Sequence, residues 1–161
     1  MGGTEYWKHM PDVLIIYAIS DEELARIVHD ILQIESVSTF LASTSLLPGQ
    51  NLSDEIRKAL SESEWVVFLA SEAACRSQWV QKELGMAFRT GKTVVPIVWN
   101  MDLENLPGWT RELQALDLRD LSPDAASVAI TELATKIRKN KEKGNLIAIA
   151  ALAGLMFVLF K

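Results

Sequence analysis

The chain has 161 residues, 49% of them hydrophobic and 23% charged, enough for one domain with a substantial core. Of its 21 acidic residues, 20 lie in residues 1–135, against 10 of its 16 lysines and arginines; a body this acidic argues against nucleic-acid binding, which needs a basic face. One cysteine excludes an internal disulfide and a cysteine-based metal site, and two separated histidines argue against zinc, so no metal is expected.

Residues 1–11 read as a loose lead-in. No secretory leader is expected, because the first apolar run, Val13–Ile16, is too short and follows Asp12. The continuous apolar stretch Asp12–Ala18 predicts a strand buried on both faces. Ser20 with Glu23 has the spacing of a capping box, and Leu24, Ile27, Val28, Ile31 and Leu32 follow at amphipathic-helix spacing. Val37–Ala42 predicts a second strand, and Ser43–Ser53 a polar loop around the turn pair Pro48-Gly49. Leu52, Ile56, Ala59 and Leu60 mark a second helix, Trp65–Ala70 a third strand, and Ser77–Arg89 a third helix stopped near Gly91. Thr93–Trp99 is a fourth strand, 100–111 is irregular, and Ala115–Leu118 is a short fifth strand. Ser122-Pro123 caps the last helix, with proline at its first position. Strands alternating with helices predict a parallel sheet covered on both faces, the α/β class.

The end of the chain differs in kind. Residues 136–143 hold five bases and one acid, and residues 146–160 carry no charged or strongly polar side chain. As a helix those fifteen residues span about 22 Å, against a hydrocarbon core of about 30 Å. Lys161 could reach the far interface, so the expectation is a short single-pass membrane anchor over 146–160 behind a basic linker, 140–145. The basic block predicts that the domain faces the cytoplasm.

The most informative run is Ser77-Gln78-Trp79-Val80-Gln81-Lys82-Glu83, just after the third strand. Trp79 and Glu83 are one helical turn apart on one side. A carboxylate beyond the end of a buried strand lies where open α/β sheets bind ligands. By spacing alone Glu83 is a boundary glutamate of an amphipathic helix, Trp79 and Trp99 are packing residues, and Ser77 is a helix cap. The run resembles the Ser-x-Trp-Cys-x-x-Glu motif of TIR (Toll/interleukin-1 receptor) domains, with Val80 in place of the usual Cys. The likeness extends over about residues 12–139 and is clearest at Asp12, Tyr17, Asp21, Pro48-Gly49, Ser71, Ser77, Trp79 and Glu83. It implies a flavodoxin-like fold, a five-stranded parallel sheet of order 2-1-3-4-5, here followed by a C-terminal hydrophobic helix.

In enzymatic members of that family the matching glutamate cleaves NAD+. The resemblance therefore implies an NAD+ nucleosidase of glycohydrolase or ADP-ribosyl cyclase type, with Glu83 catalytic and NAD+ as substrate rather than cofactor. Strand-end groups that could contact it are Tyr17, Ser20, Ser43, Ser71, Ser77, Trp79 and Trp99. The loop holding Leu47, Pro48 and Gly49 matches the family's self-association loop, which implies a homo-oligomer, and such enzymes act in immune or antiphage defence. The competing reading is a non-catalytic TIR interaction module that assembles signalling complexes at a membrane. A receiver-like phosphoacceptor would need an acidic residue ending the third strand, where Ala70-Ser71 stands.

Overall fold

The computed structural model describes the backbone of residues 10–43 and 54–159, and their side chains except those of Trp79, Arg111, Glu112 and residues 145–159. Strands β1 (Val13–Tyr17), β2 (Thr39–Ser43), β3 (Trp65–Leu69), β4 (Thr93–Val98) and β5 (Leu116–Asp117) form one sheet in the expected order, β2-β1-β3-β4-β5. All neighbouring strands are parallel. The central strands β1 and β3 are buried at every position, which is why they read as unbroken apolar runs.

Strand alternation divides the core in two. Val13, Ile15, Tyr17, Val67, Leu69 and Ile97 pack with Val28 and Leu32 of α1 (Glu22–Ile34) and with Ile130 and Ile137 of α5 (Pro123–Leu159). Leu14, Ile16, Val66, Phe68 and Val98 pack with Leu60 of α2 (Asp54–Glu62), Ala74 of α3 (Glu72–Arg76) and Val80, Leu84 and Ala87 of α4 (Gln78–Arg89). Each face therefore has its own layer of helices, α1 and α5 on one side and α2, α3 and α4 on the other.

Pro96 sits inside β4, where a missing N–H would ordinarily cost a ladder bond. The carbonyl of Ile97 accepts from Ala70 on the β3 side, and that of Val98 accepts from Leu118 on the β5 side. By alternation Pro96 faces the β5 side, and β5 begins only opposite Ile97. The lost donor therefore has no partner to miss.

Two expectations need correction, and one further helix is present. The Ser20–Glu23 capping box does not form: a 3-10 turn, Ile19–Asp21, precedes α1, its Asp21 N–H bonds the Ala18 carbonyl at 2.8 Å, and Asp21 takes the cap position without a side-chain bond. Residues 72–76 form the separate helix α3, because Ser71 caps it while extended Ser77 ends it and starts α4. A separate hydrophobic C-terminal helix is not found. Instead α5 runs unbroken from Pro123 to Leu159, and among the described residues no helix is long and apolar enough to cross a membrane.

The cap at Ser122 forms as expected, its Oγ accepting from the Ala125 N–H at 3.2 Å. Part of the basic block belongs to the domain. Arg138 pairs with Glu35 at 3.2 Å, and Lys141 pairs with Asp12 at 3.0 Å. His29, on the polar side of α1 in sequence, hydrogen-bonds Thr39 Oγ1 and ties α1 to β2.

Candidate active site

Two serine caps set the position of Glu83. Ser71 Oγ accepts from the Ala74 N–H at 3.2 Å and starts α3; Ser77 Oγ accepts from the Val80 N–H at 3.4 Å and starts α4. Val80, Leu84 and Ala87 then turn inward at helical spacing, leaving Glu83 half-buried at the margin of that face. The helix ends at Arg89, and Gly91 just beyond its cap has a φ of 85°, the left-handed conformation glycine adopts freely.

Glu83 lines a cleft of about 650 Å³ between α2 and α4. Both helices run from the carboxyl edge of the sheet back towards its amino edge; Arg57, Lys82 and Glu83 lie near their middles, and the cleft continues down to Ser61, Thr90 and Lys92 at the amino end. Buried Leu60 and Ala87 form an apolar wall, and exposed Met86 stands beside them. No described residue hydrogen-bonds or ion-pairs with Glu83, Arg57 or Lys82. Lys92, lower in the cleft, is committed: its Nζ donates to the carbonyls of Ser61 at 3.1 Å and Ser63 at 2.7 Å, closing the end of α2. Burial lowers its pKa, opposed by the charge of Glu64.

The other expected contact residues are dispersed. Tyr17 ends β1 opposite Ser43 in register and packs into the α1–α5 face, away from Glu83. Burial raises the Tyr17 pKa, with a further rise from the Glu22 charge. Ser43 follows buried Ala42, which faces the α2–α4 side, so strand alternation turns Ser43 to the other face. Ser20 is exposed in the turn before α1, and Ser71 is buried at its cap. The Trp79 side chain and the loop residues Leu47, Pro48 and Gly49 lie outside the described residues.

Trp99 packs against the α1–α5 core and lines a different, larger cavity of about 950 Å³, beyond the ends of β4 and β5. The arginines there are paired: Arg76 with Glu72, and Arg119 with Asp117 at 2.8 Å and Asp102 at 3.3 Å. Cys75 Sγ lies 4.0 Å from Met101 Sδ, and burial pushes its thiol up to about 11. A thiol held neutral in this way is a poor nucleophile.

Sequence reasoning missed Arg57 and Lys82. Lys82 adjoins Glu83 in the chain, but spacing along one helix does not reveal which neighbouring helix it faces. Asp21 was read only as a motif position; its Oδ2 is buried at the carboxyl edge with no hydrogen-bond partner among the described residues.

Among known proteins, a probable 2′ cyclic ADP-D-ribose synthase of Brachypodium distachyon, BdTIR, is 29% identical over 83 residues. The match covers 52% of this chain but only 37% of that protein, little more than a third of its length. The TIR domain of the Toll-related receptor TRR-2 from Hydra magnipapillata superposes with a TM-score of 0.63 at 22% identity, over 80% of this chain and 98% of that one. A metazoan TIR-STING receptor from C. gigas, solved in complex with 2′,3′-cGAMP, gives 0.57 at 26% identity, over 76% of this chain and 40% of that one. A flavodoxin-like domain from Synechococcus gives 0.56 at 16% identity, over 81% and 99%, and shares the fold. The sequence profile of the TIR domain matches residues 13–134, and the chain belongs to the TIR domain family.

Proposed function

We propose that this protein is an NAD+ nucleosidase in which Glu83 stabilises the reacting ribose. The observation that carries the reading is the half-buried Glu83 carboxylate, unpaired among the described residues, in a cleft between α2 and α4. The similarity to a probable 2′ cyclic ADP-D-ribose synthase supports the same chemistry. In the reaction the bond between ribose C1′ and the pyridinium nitrogen breaks, and its electron pair leaves with nicotinamide, which departs neutral. No strong acid is needed for such a leaving group. The positive charge develops on the ribose, where one carboxylate stabilises it. Water, or a group of the same nucleotide, then takes C1′, giving ADP-ribose or a cyclised ADP-ribose.

The active form is a self-associated one, assembled through the loop containing Leu47, Pro48 and Gly49. Clustering raises the effective concentration of monomers, so turnover rises with protein density. Immune or antiphage defence is the setting this fits. The direct test is nicotinamide release from NAD+ by the protein concentrated on liposomes, beside Glu83→Gln. Release by the parent alone supports the reading.

A second reading, an interaction module without turnover, draws on exposed apolar side chains. Ile27 and Ile34 of α1 are 45% and 79% exposed, and Val128 of α5 is 58% exposed. Assembly of a folded, clustered protein that releases no nicotinamide would favour that reading over catalysis.

A further inference from the structure

We infer that Arg57 and Lys82 form the diphosphate-binding edge of the Glu83 cleft, so that the site takes a dinucleotide diphosphate and not a bare nucleoside. The inference rests on the catalytic reading of Glu83 for its sugar end, and on independent observations for its phosphate end. The other described arginines are engaged: Arg26 with Glu22, Arg76 with Glu72, Arg89 with the Gly85 carbonyl, Arg119 with Asp117, and Arg138 with Glu35. Arg57 has no partner among the described residues, although it is exposed beside a cleft that also holds a carboxylate. Lys82 is likewise free among the described residues. Opposite charges that line one cleft without closing on each other leave a slot for a ligand carrying both polarities.

The chemistry of the three groups is complementary to one molecule. A guanidinium presents paired donors to phosphate oxygens, and an ammonium adds a second positive charge. The carboxylate suits a cationic sugar or its hydroxyls, and the apolar wall of Leu60 and Ala87 suits a ring. The domain as a whole is acidic and would repel an anionic substrate, so two free cations at the cleft offset that repulsion where the phosphates would lie. A nucleoside without phosphate would leave both cations unused. Lys92, already bonded to two carbonyls, is not part of this edge.

The test is calorimetric titration of NAD+ and of nicotinamide riboside into the full chain carrying Glu83→Gln, which binds without turnover. The same titrations are made with Arg57→Gln and Lys82→Gln added. NAD+ affinity is expected to fall about tenfold per cation removed, with weaker binding at higher salt, while riboside affinity stays unchanged. Equal NAD+ affinity with and without the cations, parallel loss of riboside affinity, or no NAD+ binding at all overturns the inference. Kinetics on the Glu83 parent separate it from the catalytic reading. Arg57→Gln/Lys82→Gln should raise KM and spare kcat. Nicotinamide release with an unchanged KM would sink the phosphate edge and keep the catalyst. Cation-dependent binding with no release from the parent would do the reverse.

Discussion

Two hollows among the described residues differ in a way that volume does not predict. The larger, beyond β4 and β5, measures about 950 Å³ and holds Trp99, but its arginines are paired and its thiol is held neutral. The smaller, between α2 and α4, measures about 650 Å³ and holds a carboxylate and two cations with no partner among the described residues. Paired charges have spent their electrostatic attraction on the fold. Unpaired charges at a cleft keep theirs for a ligand. The contrast teaches that unsatisfied chemistry locates the candidate site here better than size does.

The contrast breaks most sharply at Glu83. Glu83→Gln is expected to lower nicotinamide release by about 10²–10³, the scale of losing one electrostatic stabiliser, with the melting temperature little changed. A drop in activity that tracks unfolding in circular dichroism would make Glu83 structural. In the larger cavity the corresponding expectation is inertness. With its pKa at about 11 instead of the ordinary 9.0, Cys75 should react with iodoacetamide at pH 8 about a hundredfold more slowly in the folded protein than after denaturation. Equal rates would show that the cavity does not shield the thiol.

Smaller effects separate committed from free cations inside the Glu83 cleft. Lys92→Met removes two hydrogen bonds to carbonyls and should cost about 1–3 kcal/mol in urea unfolding while leaving KM for NAD+ unchanged. A raised KM would place Lys92 with the substrate. The least effect is expected from Arg119→Gln. Hydrogen bonds from the Arg119 side chain and backbone hold the Asp117 carboxyl below its ordinary 3.8. Because the folded pKa lies below the unfolded one, this stabilisation is present above 3.8 and is lost as pH falls through the folded value. The exposed variant should therefore match the parent closely at low pH and fall slightly below it at neutral pH, as acid-to-neutral melting curves would show.

Much of the fold was legible because burial writes itself into composition. Val13–Tyr17 and Trp65–Leu69 are apolar throughout since helices cover both faces, and the caps at Ser77 and Ser122 announce two helix starts. Where local chemistry was ambiguous the reading failed. Ser20 and Glu23 have capping-box spacing, but the turn at Ile19–Asp21 gives the cap to Asp21. At the site, Glu83 could be singled out because its motif is local. Its expected neighbours could not be placed, because strand-end residues only one position apart leave on opposite faces: Ala42 turns towards α2–α4, and Tyr17 and Trp99 towards α1–α5.

The sequence by itself determined the class of the fold, the strand order implied by its family, and Glu83 as the residue to test, since each depends on periodicity or on a short contiguous motif. Only the tertiary structure decided that α2 faces α4, and hence that Arg57 meets the Glu83 cleft while Trp99 belongs to another. That pairing joins residues 26 positions apart through the packing of two helices on one sheet face, and no spacing along either helix encodes it.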